Sequence, residues 1–380
     1  MDQRKQIPGF AIPELSAVLG ISAKDLLSRK HLTPTDGSSL APAVWFKLRD
    51  TRLGDSDREF VGLVRRLGFS MAQLEEITNT RSASSWDAIA QTVSSKIDRS
   101  APPALQGREA ASHFRSIANL QHGQTGIGEL IRPRLRQSGL VVIESPISKS
   151  SLEGCCFEIG ADEDKRPCVF ANSFKSTWFR RNEIILHEVC HAIFDLANDP
   201  VSLDFINEGD SPTIPEERAR AFSQECLVPR SVIVHYANQL GIKWNELTME
   251  QLARLVAETH AEQRLVLRAA HGNGMITDDL LARYSAYDCT AVLRAISLHM
   301  LTTREYMKSL AAEMPKWIAR NRTTALGTRR LRLPAGYVKQ VIDATNSGEI
   351  SIGKAAEMLM MDRYTFLERF GDSVMEPALV

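Results

Sequence analysis

The sequence predicts an α+β protein that is predominantly helical, with a small β-sheet packed on one central helix and all-α regions at both ends. Three observations carry this. Apolar residues recur at helical spacing through most of the 380 residues. A short apolar, β-rich run at Arg166–Asn172 stands immediately before the most informative of these helical stretches. Prolines and small-residue clusters then stop elements where they must end, at Pro200, at Pro229 and across 99–106. They divide the chain into an N-terminal helical region at 1–105, a central domain at 106–285 and a C-terminal helical region at 286–380.

At the N-terminus, residues 13–27 read as two short helices around a Leu-Gly-Ile-Ser turn. Gly20 at the turn and Ser22 as cap give a helix-turn-helix layout, though a plain helical hairpin fits almost as well. Further helices rich in Leu, Trp and Phe follow at 45–48, 60–67, 71–77 and 86–97.

In the central domain the run 166–172 ends in Asn-Ser, a turn or cap signal. The stretch 176–197 then places Trp178, Ile184, Ile185, Val189, Ala192, Ile193 and Leu196 at helical spacing before Asn-Asp-Pro. Within it lies His187-Glu188-Val189-Cys190-His191. Residues four apart share a helix face, so His187 and His191 can both present an imidazole nitrogen to one metal ion. Glu188, one step round, can take a proton from a water on that ion. This is the zincin arrangement, and it predicts a zincin-like core. Two His on a half-buried helix face are the bland alternative.

A zinc site needs a third protein ligand. Asp195 lies about 12 Å from His187 along the axis at about 1.5 Å per residue, too far to share the ion. It reads instead as a group behind a ligand or facing solvent. A second helix at 213–229, with Ala219, Phe222, Cys226 and Leu227 on its buried side, offers Glu216 and Glu217 in its first turn. Local rules give those two other uses, a capping box from Thr213 to Glu216 or complementation of the helix dipole.

The pieces Pro167…Phe170…Asn172, His187-Glu188…His191 and Glu216…Ala219…Phe222…Leu227…Pro229 resemble the ImmA/IrrE family of zinc metallopeptidases. The resemblance extends upstream to about Arg108 and downstream through 244–270, roughly half the chain. It implies that Glu216, not Glu217, is the third Zn²⁺ ligand beside His187 and His191, with Glu188 as general base. It also implies a narrow protein substrate, a helix-turn-helix transcriptional repressor cut in a stress, phage or mobile-element response. Chains of this type also resemble antitoxins, which gives a second expectation: a regulator that binds a toxin and promoter DNA without proteolysis. Two departures from the family pattern stand in the motif helix. Cys190 occupies the place of the usual Gly, and Glu183-Ile184 that of a Phe-Thr pair. Cys155, Cys156 or Cys190 could approach the metal, thiolate being a good zinc ligand. His235, Tyr236 and His260 are candidate donors to a developing oxyanion.

The C-terminal region pairs helices at 351–359 and 363–369, with Met360-Met361 where a turn glycine is expected. Such a pair serves equally for homodimerisation or for holding a partner. Lys316, Arg320, Arg322, Arg329, Arg330, Arg332 and Lys339 form an acid-free basic stretch, either a solvated linker or a phosphate-contacting patch for DNA. Arg132, Arg134 and Arg136 form a weaker cluster around Pro133. With 46 basic and 46 acidic residues, the chain as a whole has no pull toward nucleic acid. No apolar run reaches the ~18–20 residues of a membrane span, no signal peptide is evident, and the six cysteines are scattered. A cytoplasmic location with reduced thiols is the expectation.

Overall fold

The computed structural model describes residues 55–80, 86–120, 126–147, 152–159, 165–174, 176–196, 201–205, 213–296, 331 and 333–374. The expected N-terminal pair at 13–27, the helix at 45–48 and the basic residues from Lys316 through Arg332 lie outside them. The elements in chain order are α1 (Asp55–Ile77), α2 (Trp86–Ser94), α3 (Pro103–Ile117), α4 (Gly128–Gln137), β1 (Val141–Ser145), β2 (Leu152–Ile159), β3 (Arg166–Asn172) and α5 (Trp178–Phe194). After these come β4 (Val201–Phe205), α6 (Ile214–Leu227), α7 (Arg230–Gln239), α8 (Met249–Thr259), α9 (Gln263–Gly272), α10 (Asp278–Ser285) and α11 (Thr290–Ile296). The last three are α12 (Ala335–Asn346), α13 (Ile352–Met358) and α14 (Arg363–Val374). The protein is predominantly helical α+β, as the sequence predicts. No helix among the described residues is long and apolar enough to cross a membrane.

The strands form one sheet in the order β1-β3-β2-β4. β1 runs parallel to β3, while β2 is antiparallel to both β3 and β4. Alternate residues face opposite sides. Val142, Cys156, Val169 and Ala171 join the apolar cluster around α5, whereas Val141, Ile143, Cys155, Phe157, Cys168 and Phe170 join a second cluster on the other face. Each fully buried Phe or Ile contributes roughly 1.5–3 kcal/mol, so both faces have to be covered.

The second face is covered jointly by the two ends of the described chain. Phe60, Leu63, Val64 and Leu67 of α1 pack there with Tyr337, Val341, Phe366 and Phe370 of α12 and α14. The sequence separates 60–67 from 71–77, but α1 runs through Gly68 without a break. A Cβ at that glycine would stand 3.0 Å from Cys168 Sγ, so Gly68 lets the helix lie close to β3. At the C-terminus, Ser351 caps α13 and Asp362 Oδ1 accepts from the Thr365 N–H at the start of α14. Met360 takes φ +57° between them. The left-handed turn for which glycine is expected is therefore made by a methionine.

Two local features serve the central domain. Asn172 is buried and ties the β1–β2 connection to β3. Its Oδ1 accepts from Ile147 N and Phe174 N, and its Nδ2 donates to Leu152 O, each at 2.9 Å. Its place in the motif is thus structural. The Arg132, Arg134 and Arg136 cluster forms no open patch, because α4 runs through Pro133 and Arg132 turns inward to Glu144.

Candidate metal centre

α5 begins at Thr177, whose hydroxyl accepts from Arg180 N at 3.0 Å, and lies against β2 and β3. The four-residue spacing brings His187 Nε2 and His191 Nε2 to 3.1 Å from each other. Glu216 of α6 closes the triangle, with Oε2 3.1 Å from His187 Nε2 and Oε1 3.3 Å from His191 Nε2. Bonds of about 2.0–2.1 Å to a tetrahedral zinc place their donor atoms about 3.3–3.4 Å apart. Two imidazole nitrogens and one carboxylate at these separations fit that ion. Among the described residues this is the one His/Cys/Asp/Glu cluster with metal-ligand geometry.

α6 reaches the site through a close helix crossing. A Cβ on Gly107 of α3 would fall 2.2 Å from Arg218 O and 3.0 Å from Phe222 N, so α6 rests directly on the α3 backbone. Glu216 is buried by this placement, while Glu217 is half-buried outside the cluster. Thr213 precedes the helix without a side-chain capping bond, so Glu216 is not spent in a capping box. Asp195 stands behind a ligand: its Oδ2 is 2.8 Å from His191 Nδ1 and its Oδ1 is 2.5 Å from Arg218 Nη2. An Nδ1–H donated to Asp195 turns the Nε2 lone pair toward the cluster.

Glu188 is fully buried beside β2. A Cβ at Gly154 would meet its Oε1 at 2.5 Å and Ile184 Cγ2 at 2.8 Å, so the missing side chain of Gly154 is what seats this carboxylate. The pocket is strongly negative. Burial alone would lower the His191 imidazole, but hydrogen bonds to Asp195 and Glu216 and the charge of Glu188 carry it up to about 10. Burial alone would raise Glu216, yet the two imidazoles hold it well below the usual carboxylate range. None of the cysteine sulfurs is among the donor atoms gathered in this pocket. Burial, reinforced by the charge of Glu188, pushes the Cys155 and Cys156 thiols far up, and burial pushes the Cys190 thiol up against the opposing charge of Arg218.

An ionic network anchors the other end of α5. Glu144 of β1 receives two bonds of 2.7 Å from Arg132 and one of 2.9 Å from Arg181. Burial would raise its carboxyl, but the two guanidinium groups bring it down to about 2. Arg132 also donates to Asn182, which donates in turn to His260 O. Glu183, one of the departures in the motif helix, pairs with Arg180 and Arg264 at 2.7 and 3.0 Å. His260 accepts from Gly128 N at 3.1 Å and meets the Trp178 ring edge-on, and Tyr236 is bonded to the Gly126 backbone. These two oxyanion candidates are thus tied to the 126–128 segment, while His235 meets the Tyr236 ring edge-on.

Gly107, Gly154 and Arg218 were not singled out by sequence reasoning. Glycine inside a strand pattern, as at Gly154, is the one local signal of close approach that was present. Comparison with known proteins gives no match to any family model, curated protein or solved structure.

Proposed function

We propose that this protein is a zinc-dependent metallo-endopeptidase with a zincin-like core, acting on a narrow protein substrate. The observation that carries the reading is the triangle of His187, His191 and Glu216 donors at 3.1–3.3 Å beside the buried Glu188 carboxylate. Zinc at such a site supplies Lewis acidity, acidifying a water and polarising a peptide carbonyl. Glu188 is the general base: it accepts the proton of the attacking water and returns it to the leaving amine. Gly154 and Ile184 pack beside this carboxylate and hold it in place. The motif resemblance supports a helix-turn-helix repressor as the substrate.

The enclosure of the site favours a second reading in which zinc is structural and the protein binds a toxin. His191 is 1 % exposed and Glu188 0 %, which is more than a site open to polypeptides requires. DNA contact through the C-terminal helices has less support, because 333–374 carry four basic residues against six acidic ones, the wrong balance for a phosphate surface. The test is metal analysis of the purified protein together with co-expression with a helix-turn-helix repressor from the same genome. Loss of intact repressor with wild type but not with Glu188→Gln supports the peptidase. Equal survival of the repressor with both refutes it, and toxin neutralisation by Glu188→Gln supports the second reading.

A further inference from the structure

We propose that Arg218 is a positioning residue of the metal centre, holding Asp195 so that His191 presents Nε2 to the ion. The inference rests on the zinc-site reading above and extends it by one residue. Asp195 is the C-cap of α5, where the helix dipole disfavours a negative charge. A carboxylate there requires a cation, and Arg218 supplies it. The two Asp195 oxygens are divided between their partners, Oδ2 to His191 at 2.8 Å and Oδ1 to Arg218 at 2.5 Å. Since Asp195 is itself 21 % exposed, it would be able to turn toward solvent without that second bond.

Arg218 is buried and held at its guanidinium tip. It is 5 % exposed, its guanidinium lies 4.6 Å from the Phe194 ring centroid, and it donates to the Cys190 thiol. Its own carbonyl is pressed against Gly107 of α3. A planar guanidinium can stack on a ring and donate in plane at once, which an ammonium cannot. The residue also lies two positions after Glu216 on α6. One helix therefore provides the third ligand directly and steadies the second through Asp195. Cys190 becomes the far end of this arm, a thiol buried against Arg218 instead of a metal ligand.

The test is zinc affinity of the full chain, measured by competition with a chromogenic chelator at fixed pH. Wild type is compared with Arg218→Gln, Arg218→Lys, Asp195→Asn and the double variant Arg218→Gln/Asp195→Asn. Removing partners behind a metal ligand costs about 10- to 100-fold in affinity, and Arg218→Gln is expected to fall in that range. Arg218→Lys should recover part of the loss. The double variant should bind no more weakly than Asp195→Asn alone, because Arg218 acts through Asp195. Wild-type affinity in Arg218→Gln, or losses that multiply in the double variant, would overturn the proposal. If Arg218→Gln does not fold, Arg218→Lys paired with Asp195→Asn carries the same cycle. Failure of wild type to bind zinc would instead remove the site reading itself.

Discussion

Replacing Gly154 by alanine adds one methyl group at the most crowded point between β2 and α5. It would stand 2.5 Å from Glu188 Oε1, against about 3.4 Å for ordinary contact, so the carboxylate must withdraw by about 0.9 Å. Ile184 Cγ2, at 2.8 Å, must move as well. Ile184 and Glu188 are four residues apart on one helix face, so the methyl wedges against both at once. The helix has no room to roll, since Ile185, Val189 and Cys190 are fully buried in the same cluster. Overpacking of this kind costs about 1–3 kcal/mol. Displacing a catalytic group by about 1 Å costs about 100-fold in rate. The expected result is a lower urea midpoint and cleavage of the co-expressed repressor reduced by that order, with zinc affinity unchanged because no ligand is touched. Gly353 in α13 supplies the contrast. It is exposed, and the nearest atom to a Cβ built there is Ser351 Oγ at 3.8 Å, an ordinary contact, so Gly353→Ala should stabilise by about 0.5–1 kcal/mol through helix propensity. If Gly154→Ala matches wild type in both midpoint and cleavage, the seat assigned to Glu188 is wrong.

Three further outcomes follow from the same geometry. Gly107→Ala meets backbone at 2.2 Å, so α3 and α6 must separate; a loss of about 3 kcal/mol is expected, and chelator competition should show weakened zinc binding as Glu216 shifts. Glu144→Gln leaves Arg181, 3 % exposed, without its carboxylate, which should cost about 3 kcal/mol in urea unfolding, the low end for a broken buried pair because Glu144 is 26 % exposed. In wild type that carboxyl stands at about 2, below the ~4.3 of an unfolded chain, so its contribution is complete above about 4.3 and is lost as pH falls toward 2. Midpoints measured across that window should decline more steeply for wild type than for Glu144→Gln. Stripping the protein with a chelator should lower the thermal midpoint and zinc should restore it, by about 4 kcal/mol of stability at a thousandfold excess over Kd.

The elements written in local pattern were legible. β3 stands at 166–172, where apolar β-formers end in Asn-Ser, and α5 and α6 carry the expected buried residues. β2 was not legible. It is covered on both faces, so 152–159 lacks the alternation that marks a half-buried strand, and Gly154 and Glu153 dilute its apolar run. Local rules also leave Glu216 and Glu217 equivalent, since both lie in the first turn of α6. The motif resemblance favoured Glu216, and the crossing at Gly107 gives the physical reason by fixing which of the two is buried beside His187. His260 illustrates the other limit. A histidine near a metal motif suggests chemistry, but its bonds to Gly128 and Asn182 span 132 and 78 residues, and nothing in its immediate neighbours announces them.

The joint covering of the sheet's second face has a practical consequence. β2 is a partition one strand thick: Gly154 and Cys156 look toward Glu188, while Cys155 and Phe157 look toward α1 and the C-terminal helices. A fragment trimmed to 106–285 would keep every ligand yet strip the far side of that partition, baring Ile143, Phe157 and Phe170 to water. The excised fragment is therefore a poor reagent for assaying the site. By the same token, the C-terminal helices form the backing of the strand on which the Glu188 carboxylate rests.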